Sequence, residues 1–106
     1  MEDINEIIKN RDEKKLRKIA IGILKGVISG KEDKDEVSYF PSYFITIPLE
    51  LGWDDNYHIK DKTLDKDFDL ITNFEGISKK RAIQQSKIML KKLRKRTNKI
   101  LENNKK

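Results

Sequence analysis

The sequence predicts an all-α fold, a small helical bundle of about four to five helices. Two observations support this prediction: three or more segments repeat their apolar residues at roughly the 3.6-residue helical period, and residues that begin or end helices flank these segments. A chain of 106 residues fits one domain of ordinary size. We expect residues 1–101 to form a single helical domain and residues 102–106 to form a disordered basic tail.

The first third of the chain predicts a short helix followed by a longer one. Isoleucines within residues 4–8 have the spacing of a short amphipathic helix. A second helix is expected to begin at Asn10 as N-cap, with Glu13 completing a capping box, and to end at Gly30. Its apolar stripe consists of Leu16, Ile19, Ala20, Ile23, Leu24 and Val27.

The next segment has a less uniform pattern. Residues 31–37 are almost all charged and are expected to form a solvated loop. Residues 39–48 are aromatic and β-branched, which suits a strand, whereas Pro41 and Pro48 suit the first positions of two short helices. We favour short helices, because the chain offers no second convincing strand for pairing. A short irregular or β segment at 39–48 is the alternative.

Two more helices are predicted in the second half. Thr63 is the expected N-cap of a helix whose apolar residues lie at positions 64, 68, 71 and 74. Ser78 is the expected N-cap of a long final helix, and clustered Lys and Arg suit the negative end of its dipole. The apolar face of the final helix consists of Ala82, Ile83, Met89, Leu90, Leu93, Ile100 and Leu101.

The composition indicates a compartment and excludes several kinds of site. The chain has no cysteine, so a disulfide framework, a thiolate metal site and a cysteine nucleophile are excluded. A cysteine-free chain suits a reducing compartment, and we expect a cytoplasmic protein. Residues 1–6 lack the features of a secretory signal. The longest apolar stretch, residues 19–24, is far shorter than the roughly twenty residues that span a bilayer, so we expect no association with a membrane.

The charge is distributed unevenly along the chain. The net charge is +6, yet residues 31–75 carry five basic and twelve acidic side chains, a local net charge of −7. Residues 76–106 carry twelve basic and one acidic side chain, a local net charge of +11. The centre of the chain would therefore repel phosphate, and only the C-terminal third would attract it.

The chain offers little material for catalysis or metal binding. His58 is the single histidine, and we interpret it as a surface or half-buried residue, since a general base also needs an orienting partner and a pocket. We predict that the protein is not an enzyme and has no catalytic residue. Alternating acids from Asp65 to Asp69 resemble the start of a calcium loop, but Leu70 and Gly76 stand where that loop needs Gly and Glu. No metal and no cofactor are expected.

Residues 50–69, which we call the acidic aromatic segment, are the predicted partner-binding site. Aromatic anchors surrounded by charge are typical of an electrostatically steered protein interface, so the partner should be a basic protein. An equally good interpretation makes Trp53 the principal core aromatic and the acids its solvated surroundings. The candidate residues are Glu50, Trp53, Asp54, Asp55, Tyr57, Asp61, Asp65, Asp67 and Asp69.

A short, cysteine-free helical domain that is rich in Lys, Ile and Asn and carries such a segment resembles the small bacterial immunity proteins. This resemblance implies a non-enzymatic antitoxin-type protein that binds and neutralises a basic toxin, such as a nuclease. The strongly basic C-terminal third departs from that class. A phage or plasmid inhibitor of a host defence protein is an alternative with the same mechanism.

Residues 70–83 resemble a helix-hairpin-helix element. Phe74, Gly76 and Ala82 fit its pattern, whereas Ser78 replaces the second glycine. The resemblance implies phosphate binding at the start of the second helix, and a nucleic-acid-binding accessory or regulatory protein is therefore the alternative function. A helix, a Gly stop and a Ser N-cap would give the same residues for structural reasons alone. The residues of this alternative site are Gly76, Ser78, Lys79, Lys80, Arg81, Lys91, Lys92, Arg94 and Lys95.

Overall fold

The computed structural model describes residues 3–104, with side chains described for residues 3–100, and it confirms the all-α prediction. Within this range the chain forms five helices of six or more residues, one single-turn helix and two 3₁₀ helices, and no strand. The α-helices are α1 (Ile4–Lys9), α2 (Glu13–Ser29), α3 (Lys34–Val37), α4 (Tyr43–Glu50), α5 (Lys62–Thr72) and α6 (Lys79–Asn104), and the 3₁₀ helices are Phe40–Ser42 and Asn73–Gly76. The predicted tail is helical as far as Asn104, and Lys105 and Lys106 lie outside the described residues.

The junction of α1 and α2 differs from the predicted capping box. Asn10 ends α1, and Asp12 is the N-cap of α2, where its carboxylate accepts a hydrogen bond from the Lys15 N–H at 3.1 Å. Arg11 has a left-handed backbone (φ 53°) that separates the two helices, which moves the cap two residues along the chain. The carboxylate of Glu13 points to a different part of the chain and does not complete a capping box.

Helix α2 ends at Gly30 as predicted, but the following segment is not a simple loop. Gly30 adopts a left-handed backbone (φ 80°), which glycine reaches without steric cost. The prediction that residues 31–37 form only a solvated loop is wrong, because α3 begins there with Asp33 as its N-cap. The apolar side chain of Val37 at the end of α3 is buried, and its burial accounts for this turn of helix in a charged segment.

Residues 40–50 form helices, as we favoured, and not a strand. Pro41 lies in the first turn of the 3₁₀ helix Phe40–Ser42, as expected. Pro48 does not begin a helix; it lies buried inside α4. A proline has no N–H to donate within a helix. The carbonyl of Phe44, four residues earlier, instead accepts a hydrogen bond from the Tyr57 N–H at 2.8 Å.

The predicted N-cap is correct for α6 and wrong for α5. Ser78 precedes α6, and its hydroxyl accepts a hydrogen bond from the Arg81 N–H at 3.2 Å. Helix α5 begins at Lys62, because the carboxylate of Asp61 accepts from the Thr63 N–H at 3.0 Å and so acts as the cap. The sequence signal was present, since Asp is as good an N-cap as Thr.

One hydrophobic core joins the helices. Helix α2 packs along α6, and α1 packs against both α2 and α4. An aromatic cluster joins α4 and α5, with the rings of Phe44 and Phe68 5.1 Å apart and a second contact from Phe44 to Tyr57 at 5.7 Å. Within the described range, no helix combines the length and the apolar character that crossing a membrane requires.

Candidate functional site

Large apolar side chains are exposed around α4. Five of the eight exposed large apolar side chains in the described part of the chain lie between residues 39 and 51. Leu49 is 75% exposed and Ile45 is 54% exposed. Clustered exposed apolar groups mark interaction sites, whereas single ones are ordinary. The members of this cluster, which we call the α4 face, are Tyr39, Tyr43, Ile45, Leu49 and Leu51.

The α4 face results from a largely apolar helix, with Thr46 and Glu50 as its polar residues, that the core covers on one side only. Phe44, Ile47 and Pro48 are directed into the core. Ile45 and Leu49, spaced four residues apart, lie together on the outer side. A helix with one apolar stripe normally buries that stripe and exposes polar residues. The outer side of α4 departs from this pattern, because it exposes Ile45 and Leu49 beside the polar Thr46 and Glu50.

A shallow groove connects the α4 face with the acidic aromatic segment. The backbone N–H of Trp53 donates to the carbonyl of Pro48 at 2.9 Å, which holds the loop after α4 against the end of that helix. This contact places the Trp53 ring beside Leu49. The resulting depression of about 140 Å³, which we call the Trp53 groove, is lined by Ile45, Leu49, Trp53, Asp54, Asp55 and Asn56.

Trp53 contacts both the core and the surface groove. Its side chain is half-buried and packs against the hydrophobic core, and it also lines the Trp53 groove. The guanidinium of Arg11 lies over the indole, 4.3 Å from the ring centroid. Such a cation–π contact orients the ring and contributes roughly 0.5–1 kcal/mol at an exposed site. Trp53 is therefore a partly buried aromatic in a fixed position at the surface.

Arg11 holds this position in an unfavourable backbone conformation. Asn10 ends α1, the Arg11 N–H donates to the carbonyl of Ile8 at 3.1 Å, and the Asp12 N–H donates to the carbonyl of Ile7 at 3.0 Å. This is a Schellman motif, whose left-handed residue is usually glycine. Arg11 is the one described non-glycine residue with a positive φ. A side chain in this conformation costs roughly 1–2 kcal/mol, and the contact with Trp53 offsets part of that cost.

The acids next to the groove are exposed. Asp54 and Asp55 line the groove, and Glu50 lies at the end of α4. The Asp55 carboxylate lies 3.1 Å from Nε2 of His58. A hydrogen bond from the Asn56 N–H, and to a smaller extent the contact with His58, lower the pKa of Asp55. The Asp55 carboxyl is therefore ionised at neutral pH. The groove thus has an apolar floor and a negatively charged rim.

The contact between His58 and Asp55 is the nearest approach to a catalytic pair. Both side chains are more than 70% exposed, so neither lies in a sheltered cavity of the kind that shifts the pKa of a catalytic group. Within the described residues, no three His, Cys, Asp or Glu side chains come together as a possible metal site. The contact between His58 and Asp55 is therefore an exposed surface contact.

Tyr57 is not a surface anchor. Only 4% of its surface is exposed, because its ring packs against Phe44 in the core. Burial, with the nearby Glu13 carboxylate, raises the pKa of Tyr57 to about 12. Its hydroxyl has no hydrogen-bond partner among the described residues. The sequence could not indicate this burial, because it depends on the distant contact with α4.

Asp61 has a structural role. Its carboxylate caps α5 and binds the Arg17 guanidinium at 2.6 Å, and the carboxylate of Glu13 accepts hydrogen bonds from the Lys60 and Asp61 N–H groups. Partial burial raises the pKa of Asp61. Hydrogen bonds from Thr63, Arg17 and the helix N–H groups outweigh this effect and lower the pKa to about 2. Asp61 therefore joins α5 to α2 and is not free for a partner.

Asp67 is also removed from the predicted interface. It is 7% exposed and binds the Arg96 guanidinium of α6 at 2.5 Å. Burial raises the pKa of Asp67 in spite of the Arg96 contact. The remaining acids of the acidic aromatic segment, Asp65 and Asp69, are exposed on α5 and do not line the Trp53 groove.

The residues of the alternative nucleic-acid site lie on a different element. Gly76 ends the second 3₁₀ helix, and the hydroxyl of Ser78 is engaged in capping α6. The basic residues predicted for this site are all exposed on α6. They are Lys79, Lys80, Arg81, Lys91, Lys92, Arg94 and Lys95. Helix α6 packs mainly on α2, and none of these basic residues lines the Trp53 groove.

In comparisons with protein-family models, curated proteins and solved structures, no match to this chain was found.

Proposed function

We propose that this protein is a non-enzymatic binding module that recognises a basic protein through the α4 face and the Trp53 groove. The observation that carries this proposal is that the exposed Ile45 and Leu49 line one groove with Trp53, Asp54 and Asp55, within a stretch, residues 39–51, that holds five exposed large apolar side chains. Protein interfaces commonly have an apolar centre and a polar rim. The α4 face would form that centre, and Glu50, Asp54 and Asp55 would form the rim.

The two parts of this surface contribute differently to binding. Covering Ile45, Leu49 and the exposed edge of Trp53 removes apolar surface from water, at roughly 25 cal/mol per Å². Trp is also enriched among the residues that dominate binding energy. The rim carboxylates accelerate the encounter with a cationic surface and disfavour acidic partners. A suitable partner therefore presents an aliphatic or aromatic side chain surrounded by Lys and Arg.

The class of partner follows from the resemblance to immunity proteins. We propose a basic toxin, such as a nuclease, which the protein neutralises in the bacterial cytoplasm by covering the surface that binds the toxin's substrate. A nuclease is cationic where it binds phosphate, so an acidic rim complements that surface. The mechanism needs no catalytic group, because occupation of the site is enough to block it.

A matched pair of variants tests the proposed surface. The protein encoded by the adjacent gene is the candidate toxin, and its affinity is measured by calorimetry with wild type, Leu49→Asp and Leu70→Asp. Both leucines are exposed, but Leu70 lies on α5 outside the α4 face. We expect Leu49→Asp to weaken binding at least a hundredfold, since burying an unpaired charge costs several kcal/mol. Leu70→Asp should bind like wild type.

The possible failures of this experiment are distinct. Equal affinities for Leu49→Asp and wild type would show that the α4 face is not the interface. An adjacent gene product that neither binds nor harms cells lacking this protein would contradict the toxin-immunity assignment. Thermal melts of both variants check that the free protein remains folded.

A further inference from the structure

Helix α6 carries a large excess of positive charge on its exposed side. Residues 76–101 contain no acid. Arg96 is directed toward Asp67, and the other cations of residues 79–99 are exposed and form no ion pair with a described residue. These nine cations, which we call the α6 basic face, are Lys79, Lys80, Arg81, Lys87, Lys91, Lys92, Arg94, Lys95 and Lys99.

The arrangement of these cations opposes the stability of the helix. Lys87, Lys91, Lys95 and Lys99 form three successive pairs of like charge at i, i+4. Each such pair destabilises a helix by roughly 0.2–0.5 kcal/mol. No acid on α6 within the described side chains relieves this repulsion. A polyanion bound along the helix would relieve it.

The dimensions of α6 fit a nucleic-acid duplex. Residues 79–99 extend over about 30 Å at about 1.5 Å per residue, close to one turn of duplex DNA. Lys80, Lys87, Lys91 and Arg94 recur at i, i+7, i+11 and i+14, which places them in one stripe along the helix. Such a stripe can contact successive phosphates.

The residue types on α6 favour a duplex over other anionic partners. Residues 79–104 include no aromatic side chain on which the bases of a single strand could stack. The main apolar side of α6 is buried in the protein core, and its exposed apolar residues Ile88 and Ile100 are three turns apart, so α6 lacks a continuous apolar face for insertion into a membrane surface. Compared with a single strand or a membrane surface, the residues of α6 therefore favour contact with the phosphates of a duplex.

We propose that the α6 basic face binds double-stranded nucleic acid through its phosphate groups, without reading the base sequence. This binding is separate from the proposed function of the α4 face, and either can hold without the other. Four to five phosphate contacts would give a slope of about −4 in a plot of log K against log salt concentration.

The test is fluorescence anisotropy with a labelled 24-base-pair DNA duplex of mixed sequence, a duplex RNA and a single strand of the same length, from 50 to 300 mM KCl. The test variant replaces Lys87, Lys91, Arg94 and Lys95 by Gln. The matched control replaces four exposed cations outside α6 by Gln, namely Lys14, Lys18, Lys25 and Lys66. Both variants lose four positive charges, so they differ only in where the charges were.

We expect the α6 variant to bind the duplex at least tenfold more weakly at 100 mM KCl and with a salt slope nearer zero. The control variant should bind within threefold of wild type. If the two Gln variants lose duplex affinity equally, the net charge of the protein and not the position of the cations determines binding, and the proposal is overturned. Stronger binding to the single strand, or stronger α6-dependent binding to vesicles of phosphatidylserine and phosphatidylcholine, would also overturn it. The relative affinity for the two duplexes decides between DNA and RNA.

Discussion

The backbone N–H of Tyr57 donates a 2.8 Å hydrogen bond to the carbonyl of Phe44, an acceptor that Pro48 cannot use because it has no N–H. The proline that would be expected to weaken α4 thus provides the attachment point for the loop that follows it. A second bond, from the Trp53 N–H to the Pro48 carbonyl, fixes the start of the same loop. These two bonds hold residues 53–57 of the acidic aromatic segment against α4, and this arrangement forms the Trp53 groove.

The buried hydroxyl of Tyr57 gives a first prediction. Because this hydroxyl lacks a partner among the described residues, it is desolvated without compensation. Tyr57→Phe should raise the free energy of unfolding by about 1 kcal/mol, measured by urea denaturation. Tyr57→Ala should lower it by roughly 3–5 kcal/mol through loss of the aromatic packing. A loss of stability in Tyr57→Phe would indicate that the hydroxyl has a bonding partner.

Arg11 and Trp53 give a second prediction. Arg11→Gly removes a left-handed side chain worth roughly 1–2 kcal/mol of strain, but it also removes the cation–π contact and makes the unfolded chain more flexible. In the wild-type background these effects should nearly cancel. In a Trp53→Leu background, where the close contact is lost and only the longer contact of Arg11 with the Tyr57 ring at 6.0 Å remains, Arg11→Gly should be more stabilising by roughly 0.5–1 kcal/mol. Urea denaturation of the four proteins completes the cycle, and strict additivity would show that the contact contributes nothing.

The same residues show where sequence reasoning succeeds and where it stops. Helices α2, α5 and α6 follow from apolar spacing, which is a local property of the chain. The wrong N-cap at Asn10 has a different origin, because a left-handed conformation is uncommon for an arginine and the Trp53 contact that offsets part of its cost lies forty-two positions away. The sequence left Trp53 open between a core residue and a partner anchor, and the structure places it against the core and in the groove, with Asp54 beside it. Tyr57 and Asp67 were misplaced, because the Phe44 and Arg96 contacts that bury them leave no trace in local sequence.

The α4 face was missed for a related reason. An apolar segment from residue 43 to residue 49 indicates burial, and a sequence pattern does not show on how many sides the chain covers a helix. Only the packing of α4 on α1 reveals that one side stays open.

The low pKa of Asp61 gives a third prediction, on acid stability. The folded-state pKa of about 2 lies below the ordinary value of 3.8, so the unfolded chain binds more protons between these values. Asp61 therefore stabilises the fold above about pH 4, and this contribution is lost as the pH falls toward 2. Asp61→Asn keeps a side chain that can cap α5 but removes the carboxyl group that titrates. The stability difference between wild type and Asp61→Asn should shrink from pH 5 to pH 2 in urea melts, and a constant difference would contradict the assignment.

The last prediction concerns the rim of the Trp53 groove and the rate of association. Asp54→Asn with Asp55→Asn removes two charges from the groove, and Asp65→Asn with Asp69→Asn removes two exposed charges from α5. If the partner docks on the groove, rim charges act mainly by steering, so the first pair should lower the association rate several-fold at 20 mM salt. The effect should fade at 300 mM salt, where charges are screened within a few ångströms. The dissociation rate should change little, because the apolar α4 face holds the complex. Stopped-flow measurements against the candidate toxin give both rates, and the α5 pair serves as the control of equal charge. If the two pairs slow association equally, the partner senses the net charge of the acidic aromatic segment, and the Trp53 groove does not fix its approach.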